Sequence, residues 1–177
     1  APSTAGMVNE EGPNVEVWGL ADAYVHLKRP AQRWFEIHTP DSDGLYVGWN
    51  SWAELGPEKH LAWLTTCGIP VYTQEKDPRI ATSVAFPFHE IGKRFRPYWS
   101  GSVPYMLSLA AYEEVDELHL WGVDMAGGTE YEDQRPCAEY WLGVLETQGC
   151  KVFVPDASPV LKAAHGTYGI TTRKPIT

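Results

Sequence analysis

Glu36 and His38 stand two residues apart in "RWFEIHT" (33–39), a run that reads as a strand, so both side chains leave the same face. A histidine oriented by an acid is a candidate general base. The alternative is a hydrogen-bonded pair that only finishes the strand. A second acid, Asp124, closes the apolar "ELHLWGVDM" (117–125) and is followed by the pair Gly127 and Gly128. It either reads a ligand at the mouth of a crevice or accepts backbone N–H bonds in the "MAGG" turn. Arg135, in "YEDQRP" (131–136), has the forked guanidinium that grips a phosphate or carboxylate with two bonds, or it pairs with Glu132 or Asp133 on the surface. "DSD" (41–43) imitates a D-x-D metal motif but lies among turn residues, so no metal is expected there. "WNSWAEL" (49–55) is either a lid that stacks on a base or sugar, or core packing. The patterns of P-loop nucleotide hydrolysis, of the serine-hydrolase elbow and of zincins are missing.

Positioning these groups requires regular elements, and the chain alternates strand-like with helical runs. "VEVWGL" (15–20), "RWFEIHT", "IPVYTQ" (69–74), "ELHLWGVDM" and "KVFVP" (151–155) read as strands, with "ATSVAFPF" (81–88) as an edge piece because of its Pro. "ADAYVHLKR" (21–29) reads as a short helix stopped by Pro30, and "PEKHLAWLTTCG" (57–68) as a helix with Pro in its first turn and Gly at its end. Further helices are expected over 103–114, with Ser100 or Ser102 as cap, over 135–148, and as a last short one in "SPVLKAAHG". The run "LHLWGV" is almost wholly apolar, as an inner strand covered on both sides should be. The alternation predicts an α/β sandwich on a mostly parallel sheet. In such sheets ligands lie beyond the carboxyl ends of the strands, which nominates Ala21 and Asp22, Glu36 and His38, Gln74 and Glu75, Ser100 and Gly101, Asp124 and Asp156.

The bulk numbers narrow the classes. The 177 residues are enough for one domain with a real core, and 44% hydrophobic content with eight Trp and nine Tyr is globular. Fourteen basic against 23 acidic residues give a net charge of −9 without any Lys/Arg run, which argues against tight duplex DNA binding but leaves room for a small anionic ligand. The three cysteines, Cys67, Cys137 and Cys150, lack zinc-site spacing and read as buried thiols of a reducing cytoplasm. No apolar run reaches membrane-spanning length, so a cytoplasmic protein without membrane partners is expected, in the host cytoplasm if it is phage-encoded.

Taken in order, "APSTAG" (1–6), "VEVWGLADAY" (15–24), "SGSVPYMLSLAAYEEVDELHLWGVDM" (100–125) and "CKVFVPDASPVLKA" (150–163) resemble two related groups. One is the family 42 sialyltransferases. The other comprises small phage-encoded and archaeal proteins grouped with 6-hydroxymethylpterin pyrophosphokinase-like domains, and "RWFEIH", "GIPVY" and "YEDQRP" bring the chain nearer to these. The resemblance implies a Rossmann-like three-layer sandwich over residues 1–163, with 164–177 as a tail. It also implies a nucleotide site on Pro2, Ser3 and Thr4, on Ala21 and Asp22, and on Ser100 and Gly101. Small residues and a helix start suit a phosphate there.

Three departures accompany it. The family asparagine falls on Ala21. The segment after the "GVD" strand carries Tyr131 where the family has a catalytic histidine, and a phenol is a poor base unless perturbed. The family also places a strand before the "APS" loop, and without it the sheet would lack a central member. The expected function is that of a nucleotide-binding protein, a glycosyltransferase-like group transferase using a nucleotide or nucleotide sugar, with Asp124, Tyr131 and His38 as catalytic candidates. Pro2, Ser3, Thr4, Asp22, Ser100, Gly101 and Arg135 are the ligand-binding candidates, no further cofactor is expected, and homo-oligomerisation stays open. The alternatives are a non-catalytic binder of nucleotides or nucleotide-derived signals, and a pyrophosphokinase-like phosphoryl transferase.

Overall fold

The computed structural model describes residues 4–46, 56–125 and 130–163, and it has a mixed α/β architecture built on parallel strands. Strands β1 (Trp18–Leu20), β2 (Arg33–Phe35), β3 (Val71–Thr73) and β4 (Ser83–Ala85) form a four-stranded sheet in that order, every pair parallel. Strands β5 (Glu117–His119) and β6 (Lys151–Phe153) form a separate parallel pair. Helices α1 (Pro57–Thr66), α2 (Phe88–Arg94), α3 (Ser102–Glu113) and α4 (Glu130–Thr147) connect them, with 3-10 helices at Ala5–Glu10 and Ala23–His26.

The two-residue period of the strands sorts side chains into two cores. Phe35 and Ile37 face one way, into a cluster with Ile91, Leu107, Ala110, Ala111, Trp141, Leu142 and Leu145 of α2, α3 and α4. Trp34 and Val71 face the other way, packing with Leu64 of α1, Tyr46 and Ile80. The sheet β1–β4 therefore carries helices on both faces, as parallel sheets require to hide their apolar surfaces. The first cluster also takes Leu118, Leu120, Val152 and Val154, so the β5–β6 pair lies under the same helical layer.

Helix direction follows from the connections. Helix α3 ends at Glu113 and the chain enters β5 at Glu117, while Arg33 at the start of β2 holds both carboxylate oxygens of Glu113 at 2.6 and 2.7 Å. The carboxyl end of α3 thus sits at the amino ends of the strands. Its first turn points to their carboxyl ends, about 18 Å away at 1.5 Å per residue. Helix α4 runs the same way, since Gly149 (φ 92) turns the chain directly into β6.

Several expectations are corrected. The segment 21–29 makes only one 3-10 turn. "FPFHEIGKR" becomes helix α2, because Pro87 stands at the N-cap, where its fixed φ and missing N–H cost nothing. Helix α4 starts five residues before the expected position and encloses Pro136. "SPVLKA" makes turns rather than a helix, with Ser158 N–H bonded to Pro155 C=O, Lys162 N–H to Pro159 C=O, and Leu161 at φ 58. Strand β5 pairs with β6 alone among the described residues, so "LHLWGV" is not an inner strand between two hydrogen-bonded neighbours.

Candidate functional site

The carboxyl end of β2 holds a buried polar network centred on Glu36. Glu36 and His60 are both fully buried, and His60 Nε2 lies 2.7 Å from Glu36 Oε2. The other carboxylate oxygen, Oε1, is 2.5 Å from His38 Nδ1 and also accepts the His38 backbone N–H at 3.2 Å. His60 Nδ1 in turn lies 3.3 Å from the Tyr24 hydroxyl. Tyr24, on the 3-10 helix after β1, stacks on His60 and on Trp63, which fixes the phenol in place.

Protonation follows from donor counting. Burial pushes the Glu36 carboxyl up, but hydrogen bonds from His38 and His60 outweigh it and hold the group below the usual carboxylate range. An ionised carboxylate only accepts, so both imidazoles turn an N–H toward it: Nε2–H of His60 and Nδ1–H of His38. His60 Nδ1 is then the acceptor for the Tyr24 hydroxyl, and burial raises the pKa of that phenol, which keeps its proton. Glu36, held in turn by His60 and Tyr24, therefore orients His38 with its Nδ1–H toward the carboxylate. The His38 side chain is 34% exposed, so solvent and solutes reach it where they cannot reach His60 or Glu36. A buried carboxylate between two imidazoles and an accessible imidazole form the donor–acceptor pattern of an oriented general base.

Neighbouring backbone holds this edge rigidly. Glu36 N–H donates to Tyr72 C=O, Ala21 N–H donates to Phe35 C=O, and Gln74 Nε2 reaches Ile37 C=O at 2.6 Å. Trp34 Nε1 donates to Ala21 C=O at 3.0 Å, and Ala21 holds φ at 48. The ends of β1, β2 and β3 are thereby stitched together around His38.

The remaining expected residues stand after β1, after β5 and at the starts of α3 and α4. Thr4 is buried, and its Oγ1 accepts the Gly122 N–H at 2.9 Å. Gly122 sits at φ 72, and a Cβ there would come within 3.2 Å of Ala5 Cβ, so glycine is needed for this approach. Asp124 follows two residues later, partly buried, with Met125 beside it at φ 41. Asp22 is the N-cap of the Ala23–His26 turn and makes no capping bond with its side chain. Ser100 and Gly101 precede α3, where Gly101 is the N-cap and has no side chain to occupy the first-turn amides. The Gln134 side chain of α4 lies over Gly101, at 1.9 Å from where a Cβ would be. Tyr131 is exposed one turn before Gln134.

Arg135 has internal duties: its Nε bonds Glu139 Oε1 at 2.7 Å and its terminal nitrogen bonds Lys162 C=O at 2.8 Å. It therefore ties the 159–163 turn to α4, and its partner is neither Glu132 nor Asp133 in these bonds. Pro2 and Ser3, the lid candidate 49–55 and the glycine pair 127–128 lie outside the described residues. In "DSD", Asp41 Oδ1 accepts the N–H groups of Asp43 and Leu45, which is turn chemistry. Among the described residues no group of His, Cys, Asp and Glu is arranged to hold a metal ion. No described helix is long and apolar enough to cross a membrane.

Sequence reasoning found Glu36 and His38 but missed His60 and Tyr24. A signal for His60 was present: it stands four residues before Leu64, on the buried stripe of the predicted helix, where a histidine needs a polar partner from the sheet. Compared with protein-family models, with curated proteins and with solved structures, the chain finds no match.

Proposed function

We propose that this chain is a Rossmann-like group transferase that takes a small anionic, nucleotide-type donor, with His38 as the proton acceptor of the transfer step. The observation that carries this reading is the buried Glu36 held between His60 and the accessible His38 at the carboxyl end of a parallel strand. Burying an ion pair is a poor source of stability, and here the buried carboxylate orients an imidazole that solvent reaches.

In the step, an acceptor hydroxyl attacks the donor carbon that bears the nucleotide phosphate. A new carbon–oxygen bond forms, His38 Nε2 takes the hydroxyl proton, and the bond to the phosphate oxygen breaks with its electron pair leaving on the nucleotide. Glu36 stabilises the imidazolium that results. The N-terminus of α3 is assigned to the anionic end of the donor: Gly101 makes no side-chain cap bond and no acidic residue stands in the first turn, and the Gln134 side chain that lies over Gly101 would have to move aside. Asp22 after β1, Asp124 after β5 and Tyr131 in the first turn of α4 are assigned to hydroxyl recognition on the donor or acceptor.

A second reading, a binder without turnover, is favoured by one observation: Arg135, the cation expected to hold phosphate, is engaged by Glu139 and Lys162 C=O. A thermal-shift screen with nucleotides and nucleotide sugars, followed by product detection, separates the two. Raised melting temperature together with donor consumption supports the transferase; raised melting temperature without consumption supports the binder. No shift with any member defeats both.

A further inference from the structure

Segment 4–15 is bonded to both parallel sheets, and it holds each by different chemistry. Toward the loop that joins β1 to β2 its bonds run to or from backbone groups. Asn9 Nδ2 donates to His26 C=O at 3.2 Å, and Asn9 Oδ1 accepts Lys28 N–H at 2.7 Å. The Arg29 guanidinium donates to the C=O groups of Glu11, Gly12 and Val15. Toward β5 the contacts are a carboxylate and a hydroxyl. Glu11 Oε1 is 2.5 Å from His119 Nδ1 and accepts Trp121 Nε1–H at 2.7 Å, and Thr4 Oγ1 accepts Gly122 N–H at 2.9 Å.

His119 faces a carboxylate from each ring nitrogen, Glu11 at Nδ1 and Glu117 at Nε2, the latter at 2.8 Å. A carboxylate at neutral pH only accepts, so both nitrogens carry protons and the ring is an imidazolium. The bond to Glu11, joined by the bond to Glu117, raises the His119 pKa against the opposing effect of its partial burial. Burial pushes the Glu11 carboxyl up, but the bonds from His119 and Trp121 outweigh it and hold the group below the usual carboxylate range. Across β6, Phe153 stands opposite His119 and Lys151 opposite Glu117, while Arg29 is the other cation that acts on Glu11. The Glu11 side chain is 12% exposed and that of Glu117 54%, so water screens the pair with Glu11 less.

We propose that His119 and Glu11 form a proton-controlled latch that fastens segment 4–11 to the end of β5. With His119 protonated, the latch is an ion pair. As pH rises through the folded-state pKa, the ring keeps one N–H and loses its charge, while Glu11 stays ionised and faces a neutral partner. The β5 side of the segment then loosens. The other side keeps its hold, because the Asn9 amide and the Arg29 guanidinium do not titrate in that range. The device is thus one-sided, and it requires no ligand and no transfer chemistry.

Hydrogen exchange of the full chain at pH 6 and pH 8.5, corrected for intrinsic rates, tests the latch in the wild type, H119Q and E11Q. Gly122 N–H and Trp121 Nε1–H read the β5 side, and Lys28 N–H reads the other. Trp34 N–H, bonded to Pro70 C=O in the core, reports that each variant is folded. In the wild type, protection at Gly122 and Trp121 should fall about tenfold between the two pH values, while Lys28 and Trp34 change by less than about twofold. In H119Q it should be low at both, and in E11Q its pH dependence should vanish; E11Q decides the matter if H119Q does not fold. Equal protection at both pH values in the wild type overturns the proposal. So does an undiminished fall in either variant, which assigns the titration to another group. A matching fall at Lys28 overturns it too, since the loosening is then not one-sided. Because no readout involves a nucleotide or turnover, failure here leaves the transferase reading standing, and failure of that reading leaves the latch.

Discussion

Replacing Glu36 by Gln and by Ala separates the electrostatic role of this residue from its packing. Glu36 is fully buried and accepts from His38 and His60 at 2.5 and 2.7 Å. Glutamine keeps the shape and one acceptor oxygen, which can serve His38. Its amide then meets His60, which can turn to the other tautomer, accept at Nε2 and donate from Nδ1 to Tyr24. Two charge-assisted bonds become neutral ones, a loss of about 1–2 kcal/mol. Alanine leaves two imidazoles without their carboxylate and opens a cavity, a loss of about 3–5 kcal/mol by analogy with broken buried pairs. At roughly 2–4 °C per kcal/mol for a chain of this size, E36Q should melt about 2–8 °C lower and E36A about 6–20 °C lower. The pH dependence has a fixed sign. Because the folded-state pKa of Glu36 is depressed, its contribution is present above about 4.5 and is lost as pH falls through the folded value. E36Q should therefore lack part of the acid-side decline of the wild type. Calorimetric melting between pH 3 and 8 measures both effects. Melting of E36A equal to that of the wild type at neutral pH would refute the buried network as described.

His38→Gln, whose amide can still donate to Glu36, should lower the melting temperature by no more than E36Q does, while any transfer activity falls by about 10²–10⁴-fold, measured by product formation. The His119 link to Glu11 and Glu117 raises the imidazole pKa, so its stabilisation is complete below about 6.5 and fades as pH rises through the higher folded value; E11Q should flatten this limb in a melting series. Gly19→Ala places a Cβ 2.1 Å from the ring of the fully buried Trp34, and should lower stability by about 1–3 kcal/mol or more in denaturant titration. Arg135→Ala should lower the melting temperature without changing nucleotide affinity in calorimetric titration, because its bonds go to Glu139 and Lys162 C=O.

What could be read from the chain depended on how local the signal was. The alternation of Trp34, Phe35, Glu36 and Ile37 sets two faces within a few residues, so the β2 strand and the shared face of Glu36 and His38 were legible. The parallel α/β class followed from the spacing of strands and helices. The extent of β5 was not legible: "LHLWGV" is apolar enough for an inner strand, but which edges are paired depends on segments remote in sequence. Helix α2 was hidden by Pro87, since a proline reads equally as a strand breaker or a helix start until its neighbours are placed. Arg135 gave no local sign that Glu139 and Lys162 C=O would take its donors. His60 joins Glu36 across 24 residues and Tyr24 joins His60 across 36, and their partnership appears only when α1 and the first turn after β1 are folded onto the sheet.

The central claim is that His38, oriented by Glu36, accepts a proton while a group leaves a nucleotide donor. Phosphorus NMR of a nucleotide-sugar panel, incubated with the wild type and with H38Q side by side, tests it most directly. The account predicts that the wild type releases the nucleotide from at least one donor, and that H38Q does so about a hundredfold more slowly or worse. Equal release by the two proteins would contradict the claim, as would the absence of release from every donor by a wild type shown to bind one.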